Sequence, residues 1–555
     1  MSVNVKNSIL LLITALTLSS CGLDSFNNAN KKPSVVGNIK DNLEWYQAIP
    51  DRDTPVNISI SIPVPNEYKC RPWNNLSAPK RPCTLDDIEH DISPYDDYKP
   101  ELHVNFSADD FPGVAGASMR RRGKSSREAQ QSSYRVKLDS KSELYHDERV
   151  LQINKSPYDD TRIKNRLWFE TFIGIPNLTS LRTRFVHLLI DGRSYGIFHH
   201  IEHVDELFLR NRGWNTADNT YKAQDFSFEP SPDLALRDDG KPRHPEKFNA
   251  IIEQETGKNP KKLVAMVEEL NKVYRNPKKF KSFFKKYFNR ENYLTWVAVN
   301  IIVSNKDIVT QNFYLYNPKY SDVFYFLPWD YDGAGYQADS LAKYQKGYGF
   351  LWAVPLHRGF LSIKENRDAL TQKIQELRLN YFQDGVLQAR VNKYASIVAP
   401  YIKSAPDNRY LDYQTWKKSI NAIVPQIGKN MQNYYNELGS PMPFWQTATY
   451  SKGRLHLNWE RSVDLEGDPI VYDLKVAKNP NMSDLVLAVD NIDDKPSADS
   501  IDYKKEIVLA PGRYYMKVIA KERNNPNSYQ IAFDMVTDPY NPDKTYYGVL
   551  AFDVQ

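Results

Sequence analysis

Apolar and polar positions change rhythm three times along this chain. From Asn57 the period is two: Ile58, Ile60 and Ile62 alternate with Ser59 and Ser61, the pattern of a half-buried strand. The same period recurs over 103–138, most clearly where Tyr134, Val136 and Leu138 alternate with Arg135 and Lys137. Residues 161–172 shift to a helical period, with Ile163, Leu167 and Phe169 near one face and Glu170 beside them. Two more strands, 185–190 and 195–200, meet at Asp191-Gly192, a favourable hairpin turn. Residues 225–247 are rich in Pro, Asp and Arg and predict a surface loop. Beyond them the period is helical, with Leu263, Met266, Val267 and Leu270 on one stripe and Leu294, Val297, Ala298 and Ile301 on a second, more buried one. A hairpin (313–316 with 323–327, turning at Asn317-Pro318) precedes further helices over 363–438. From about Trp445 alternation returns, at Leu455, Leu457 and Trp459 and again at Tyr472, Leu474 and Val476.

The two ends add constraints. Lys6 precedes an apolar run, 9–18, broken by Thr14 and Thr17 and followed by Ser19-Ser20-Cys21. The run is too short to span a bilayer and has the form of a secretory signal. Small residues ending on a Cys resemble a bacterial lipoprotein box. That resemblance implies cleavage after residue 20 and a lipid on Cys21, so the mature chain would be held at the membrane of the bacterial cell envelope, extracytoplasmic; a plain signal peptide in which Cys21 merely follows the cleavage site is the alternative. Gly22 favours the outer membrane if the cell has one. Residues 21–45 are polar and predict a flexible tether. Cys70 and Cys83 remain, and in an oxidising compartment a disulfide between them is the default, with two buried free thiols as the alternative.

Composition excludes more than it selects. A net charge of +5 over 555 residues is too small to imply a nucleic-acid partner. Aromatic residues make up 13% of the chain, material for cores or for an exposed binding face alike. None of the ten His has zinc-ligand spacing with an acidic helper; His199 and His200, adjacent on a strand, point to opposite faces.

The chemistry concentrates after the most buried helical stripe. Asp307 and Asn312 are five residues apart on a predicted loop, and Asp330 ends the hairpin that follows. In kinase-like folds a loop Asp orients the acceptor hydroxyl, an Asn five residues on holds one magnesium ion, and a second Asp bridges magnesium to the phosphates. Asp332 offers a second carboxylate or braces the turn. Upstream, the turn Arg122-Gly123-Lys124-Ser125-Ser126 places a glycine and hydroxyls where backbone amides can cover phosphates, with an ordinary basic hairpin as the alternative. Lys137, on the alternating strand after that turn, has the position from which a kinase lysine reaches the α- and β-phosphates. Glu170 is its candidate partner, with Glu143 and Glu148 as alternatives.

Four segments in this order resemble the CotH kinase family. They are Met119-Arg120-Arg121-Arg122-Gly123-Lys124-Ser125-Ser126-Arg127 with the strand 133–138; Asp191-Gly192-Arg193-Ser194-Tyr195-Gly196-Ile197 leading to Glu202-His203-Val204-Asp205; Tyr221-Lys222-Ala223; and the Asp307/Asn312 loop with Pro328-Trp329-Asp330-Tyr331-Asp332-Gly333. The resemblance implies an α+β, atypical two-lobed kinase-like domain over 46–440. Its β-rich lobe would reach about 205 and its helical lobe would begin near 250. An all-β, immunoglobulin-like sandwich resembling fibronectin type III would follow over 445–555. It also implies ATP as co-substrate, magnesium or manganese, and a protein acceptor on the cell surface or envelope. Asp307 and Lys137 would be catalytic, Arg122, Gly123, Ser125, Ser126, Lys137 and Glu170 nucleotide-binding, and Asn312 and Asp330 metal ligands. A catalytically inactive, kinase-like surface scaffold in envelope or polysaccharide assembly is the alternative.

Overall fold

The computed structural model describes residues 37–93, 97–335, 341–538 and 541–555. The leader 1–20, Cys21 and most of the tether lie outside the described residues. Residues 37–45, assigned to the tether by composition, are packed: Ile39 and Trp45 are buried, and the Trp45 indole donates to Glu202 Oε1 at 3.0 Å.

The β-rich first half closes into a barrel. Its strands are β1 (Val56–Ser61), β2 (Leu102–Ala108), β3 (Ala115–Arg122), β4 (Ser133–Leu138), β5 (Val150–Asn154), β6 (Thr183–Ile190) and β7 (Arg193–Glu202), joined in the order β1-β2-β3-β4-β5-β7-β6. Parallel pairing of β6 with β1, with Ile58 opposite Leu188, completes the ring and leaves no sheet edge open. The apolar members of each alternating strand fill the interior, among them Val104, Met119, Val136 and Leu151. The polar members, including Arg120, Arg122 and Arg135, face outward. Cys70 and Cys83 form a disulfide beside this core, with Cα atoms 5.2 Å apart. Helix α1 (Lys164–Phe172) packs against the barrel strand β6.

A second, antiparallel sheet follows, formed by β8 (Asn219–Ala223), β9 (Ile252–Thr256), β10 (Phe313–Asn317) and β11 (Tyr325–Pro328) in the order β9-β8-β10-β11. One face, carrying Tyr221, Leu315 and Phe326, joins the largest core. That core is otherwise helical: α2 (Lys261–Val273), α3 (Pro277–Tyr287), α4 (Arg290–Ile302), α5 (Pro355–Leu361), α6 (Lys364–Asn380), α7 (Asp384–Ile402) and α8 (Tyr413–Asn436). Helix α4 is buried on all sides from Asn292 to Ile302, which explains why its sequence is apolar beyond one stripe. The segment 225–247 differs from the surface loop its polarity predicts, because Phe226, Phe228 and Leu234 are anchored in this core.

The C-terminal region is all-β. Strands β12 (Gln446–Ser451), β13 (Arg454–Glu460) and β16 (Ser500–Glu506) make one sheet. Strands β14 (Ile470–Ala477), β15 (Leu485–Asp493), β17 (Gly512–Glu522), β18 (Tyr529–Ile531) and β21 (Val549–Val554) make the other, and β19 (Met535–Asp538) and β20 (Asn541–Tyr547) form a separate hairpin. Leu457 and Trp459 of the first sheet meet Tyr472, Leu474 and Val518 of the second in a common core. The alternation seen in the sequence is therefore that of two sheets sharing one apolar layer.

Candidate active site

A cavity of about 1070 Å³ opens between the outer face of β3, β4 and β5, the polar face of the second sheet, and the loop after α4. Strand register determines which barrel side chains reach it. Arg122 lies opposite Ser133, and Arg120 opposite Arg135, which in turn lies opposite Gln152. These two rows, with Asn154, line the cavity. The next row along the same face, Ser118 and Lys137, does not; Lys137 is exposed.

The opposite wall comes from β8 and β9. Lys222 lies between Tyr314 of β10 and Glu253 of β9, and both it and Glu255 face the cavity. The Lys222 ammonium sits 5.2 Å from the Trp329 ring centroid, and the Arg122 guanidinium 6.0 Å from it. Trp329 thus brings cations from two different sheets to one aromatic platform, next to Asp330.

Asp307 and Asn312 occupy the loop between α4 and β10, and Asp330 follows β11; all three line the cavity and are half-buried. Their frame is fixed by buried amides. Asn292 of α4 accepts from the Phe326 amide at 2.7 Å and donates to the Phe326 carbonyl at 3.0 Å, locking β11 to the helix that leads into the loop. The Gly335 amide donates to the Val303 carbonyl at 2.7 Å, and the Tyr331 amide to Asn165 Oδ1 at 2.7 Å. Asn312 and Asp330 adopt positive φ (60° and 55°), which Asn and Asp tolerate better than most residues.

The turn after β3 brings Gly123 and Ser126 to the cavity. Gly123 has φ +116°, and a Cβ there would collide with the Ser126 hydroxyl. Ser125 begins a short 3-10 turn, Ser125–Arg127; its side chain lies outside the described residues. Glu170 is placed elsewhere. It lines a separate recess of about 70 Å³ with Asp51, Arg166 and Thr183, and burial raises its carboxyl.

Electrostatics follow from crowding. Asp332, also in the cavity wall, is pushed well above the carboxylate range by burial and by the charges of Asp330 and Asp159. Burial holds Arg122 and Lys222 below their ordinary values, opposed by Asp330 in both cases. Glu255 is pushed up to about 7 by burial and by Glu253, and burial carries His203 down to about 3.

The structure therefore brings together Asp307, Asn312, Asp330, Arg122, Gly123 and Ser126, and separates Lys137 and Glu170 from them. It adds Lys222, Glu253, Glu255 and Asn154. Of these, only Lys222 had a local signal, the short Tyr221-Lys222-Ala223 segment.

Residues 119–434 match the model of the family described as CotH kinase protein. The chain belongs to the CotH kinase family. The matched span runs from β3 to α8 and so contains both walls of the cavity. The chain is also 26% identical over 343 residues to the inner spore coat protein H of Bacillus subtilis, covering 59% of this chain and 91% of that protein.

Proposed function

We propose that this CotH-family chain is an atypical protein kinase, moving the γ-phosphoryl group of ATP to a Ser or Thr hydroxyl of an extracytoplasmic protein. One observation carries the reading. The loop pair Asp307/Asn312, the strand-end Asp330 and the cations Arg122 and Lys222 of two different sheets line one cavity. That is the division of labour phosphoryl transfer needs, in which positioning and charge stabilisation do most of the catalysis. In this reading the barrel and the helical core act as the two lobes of a kinase-like domain.

The donor set suits magnesium or manganese. Asn312 offers an amide oxygen and Asp330 a carboxylate, hard ligands of the kind Mg²⁺ prefers, and Asp332 adds a second carboxylate beside Asp330. When bound, the ion supplies positive charge against the phosphate oxygens. Asp307 orients the acceptor hydroxyl and takes its proton. Arg122 and Lys222 hold phosphate oxygens from opposite walls, and the Gly123 turn lets backbone amides approach them closely. Trp329 borders the cavity, and buried Tyr314 packs edge-on against its ring.

A location outside the cytoplasm is supported by the leader with Cys21, by the disulfide, and by the relative's place in a spore coat. No helix among the described residues is long and apolar enough to cross a membrane, so in this reading the lipid on Cys21 is the anchor. The test is transfer of label from ATP with magnesium to the chain itself or to an envelope extract, with mass spectrometry of the products. Wild type should yield phosphoserine or phosphothreonine and Asp330→Ala should not. Equal labelling of both sinks the proposal, and adenylylated products would replace it with nucleotidyl transfer.

A further inference from the structure

Three carboxylates of the C-terminal region converge outside the cavity. Asp464 and Asp468 belong to the loop between β13 and β14, and Glu522 ends β17 opposite Ile470, the first residue of β14. One oxygen from each lies within 4.8 Å of the others. Acidic side chains often cluster at surfaces, and proximity alone says little. Two further observations point into this cluster. Glu522 is only 9% exposed, and its carboxylate makes no hydrogen bond or ion pair among the described residues. Asp464 divides its oxygens: Oδ1 accepts from the amides of Glu466, Gly467 and Asp468 at 2.8, 2.9 and 3.2 Å, whereas Oδ2 is buried with no hydrogen-bond partner.

A carboxylate oxygen taken out of water, as Asp464 Oδ2 is, needs a compensating charge. The nearby cations are engaged elsewhere. Arg367 donates to the carbonyls of Leu361 and Leu465 and pairs with Glu466, and Arg523 pairs with Asp493. None of the three clustered carboxylates has an ion-pair partner among the described residues.

We propose that Asp464, Asp468 and Glu522 form a calcium-binding site. All donors are hard oxygens, and Ca²⁺–O distances of about 2.3–2.6 Å place opposed ligands roughly 5 Å apart. Ligand oxygens within 4.8 Å of one another admit Ca²⁺, and the irregular, loop-borne set suits its flexible coordination better than the near-ideal octahedron Mg²⁺ demands. The ion ties the β13–β14 loop to the end of β17. That loop is also the seam with the helical core, where Val463 and Leu465 pack and Arg367 of α6 donates to the Leu465 carbonyl at 2.8 Å. Calcium is thus expected to stabilise the junction of the two regions.

The test is calorimetric titration of the full chain with CaCl₂, together with thermal melting. It is done in wild type and in Asp330→Asn, which removes the divalent site proposed in the cavity. Asp330→Asn should bind one Ca²⁺ with a Kd on the order of 10⁻⁴–10⁻³ M, wild type should show the same site, and both should melt higher in its presence. Asp468→Asn, an exposed position that folding tolerates, and the isosteric Glu522→Gln should each weaken binding at least tenfold and abolish the melting shift. Wild-type affinity in those two variants overturns the proposal. So does the absence of a heat with wild type at about 10 mM CaCl₂, or an equal melting shift with MgCl₂ in the Asp330→Asn background.

Discussion

Lys137 and Lys222 have the same local grammar, a cation between apolar neighbours on a strand, but different surroundings. Lys137 lies on the outer face of β4, two rows from Ser133, and rises about 3.3 Å per residue away from the cavity rim. It is exposed, and its cross-strand neighbours Ser118 and Val150 give it no carboxylate. Lys222 lies on β8, against Trp329 and between two glutamates of β9 and the carboxylate of Asp330. What separates them is the sheet that packs opposite, which alternation along one strand does not encode. In the proposed reading Lys222 can hold phosphate because its row faces another wall, and the row is fixed by register.

The largest effect should come from the acidic wall that Lys222 faces. Asp330→Asn keeps the shape and removes the charge proposed to hold a metal ion; phosphoryl transfer is expected to fall by roughly 10³-fold or more, with melting within a few degrees of wild type. Asp307→Asn should cost about 10²–10³-fold through loss of the proposed proton acceptor. Initial rates with labelled ATP check both. An unimpaired Asp330→Asn enzyme would remove the ground for placing any phosphate near Lys222.

The comparison itself is tested by paired substitutions. Lys222→Met should lower kcat/KM for ATP by about 10²-fold, and Lys137→Met by less than about twofold. The reverse order would return the role to the barrel strand. Gly123→Ala comes next in size. The strained φ and the contact with Ser126 should raise the KM for ATP by about five- to tenfold while leaving kcat nearly unchanged, because the turn is proposed to support phosphates and not the proton transfer.

The same contrast explains how much of the site was legible in sequence. The loop carrying Asp307 and Asn312 and the strand ending at Asp330 are short-range features: a buried helix, a turn and a hairpin, each with its own period. They could be placed in order without tertiary information. Barrel closure could not, because it pairs Ile58 with Leu188 across most of the β-rich half. Without closure the register rows are unknown, and Lys137 on its longer alternating strand looks better than Lys222 in a three-residue segment. Phe226 and Phe228 were hidden for a related reason. A few aromatic anchors in a polar stretch outweigh its average composition, since each buries far more apolar area than its neighbours expose.

The smallest expected effect concerns the carboxylates beside Lys222. Glu255 is raised from its ordinary 4.5 to about 7, first by burial and then by Glu253, with Lys222 opposing. Between those two values the folded chain holds a proton that the unfolded chain releases. Stability contributed by this group is therefore present below about pH 4.5, declines as pH rises to about 7, and is flat above it. Glu255→Gln removes the dependence. It should match wild type at pH 4.5 and exceed it by about 1 kcal/mol at pH 8, a figure reduced for residual solvent and for the Lys222 charge. Lys137→Met, with no carboxylate in its row, should show no such pH-dependent difference. Thermal melting of the three proteins across this range separates the cases. If the Glu255→Gln difference is independent of pH, Lys222 already neutralises Glu255 in the folded chain. The ammonium would then be committed to the wall and not to phosphate.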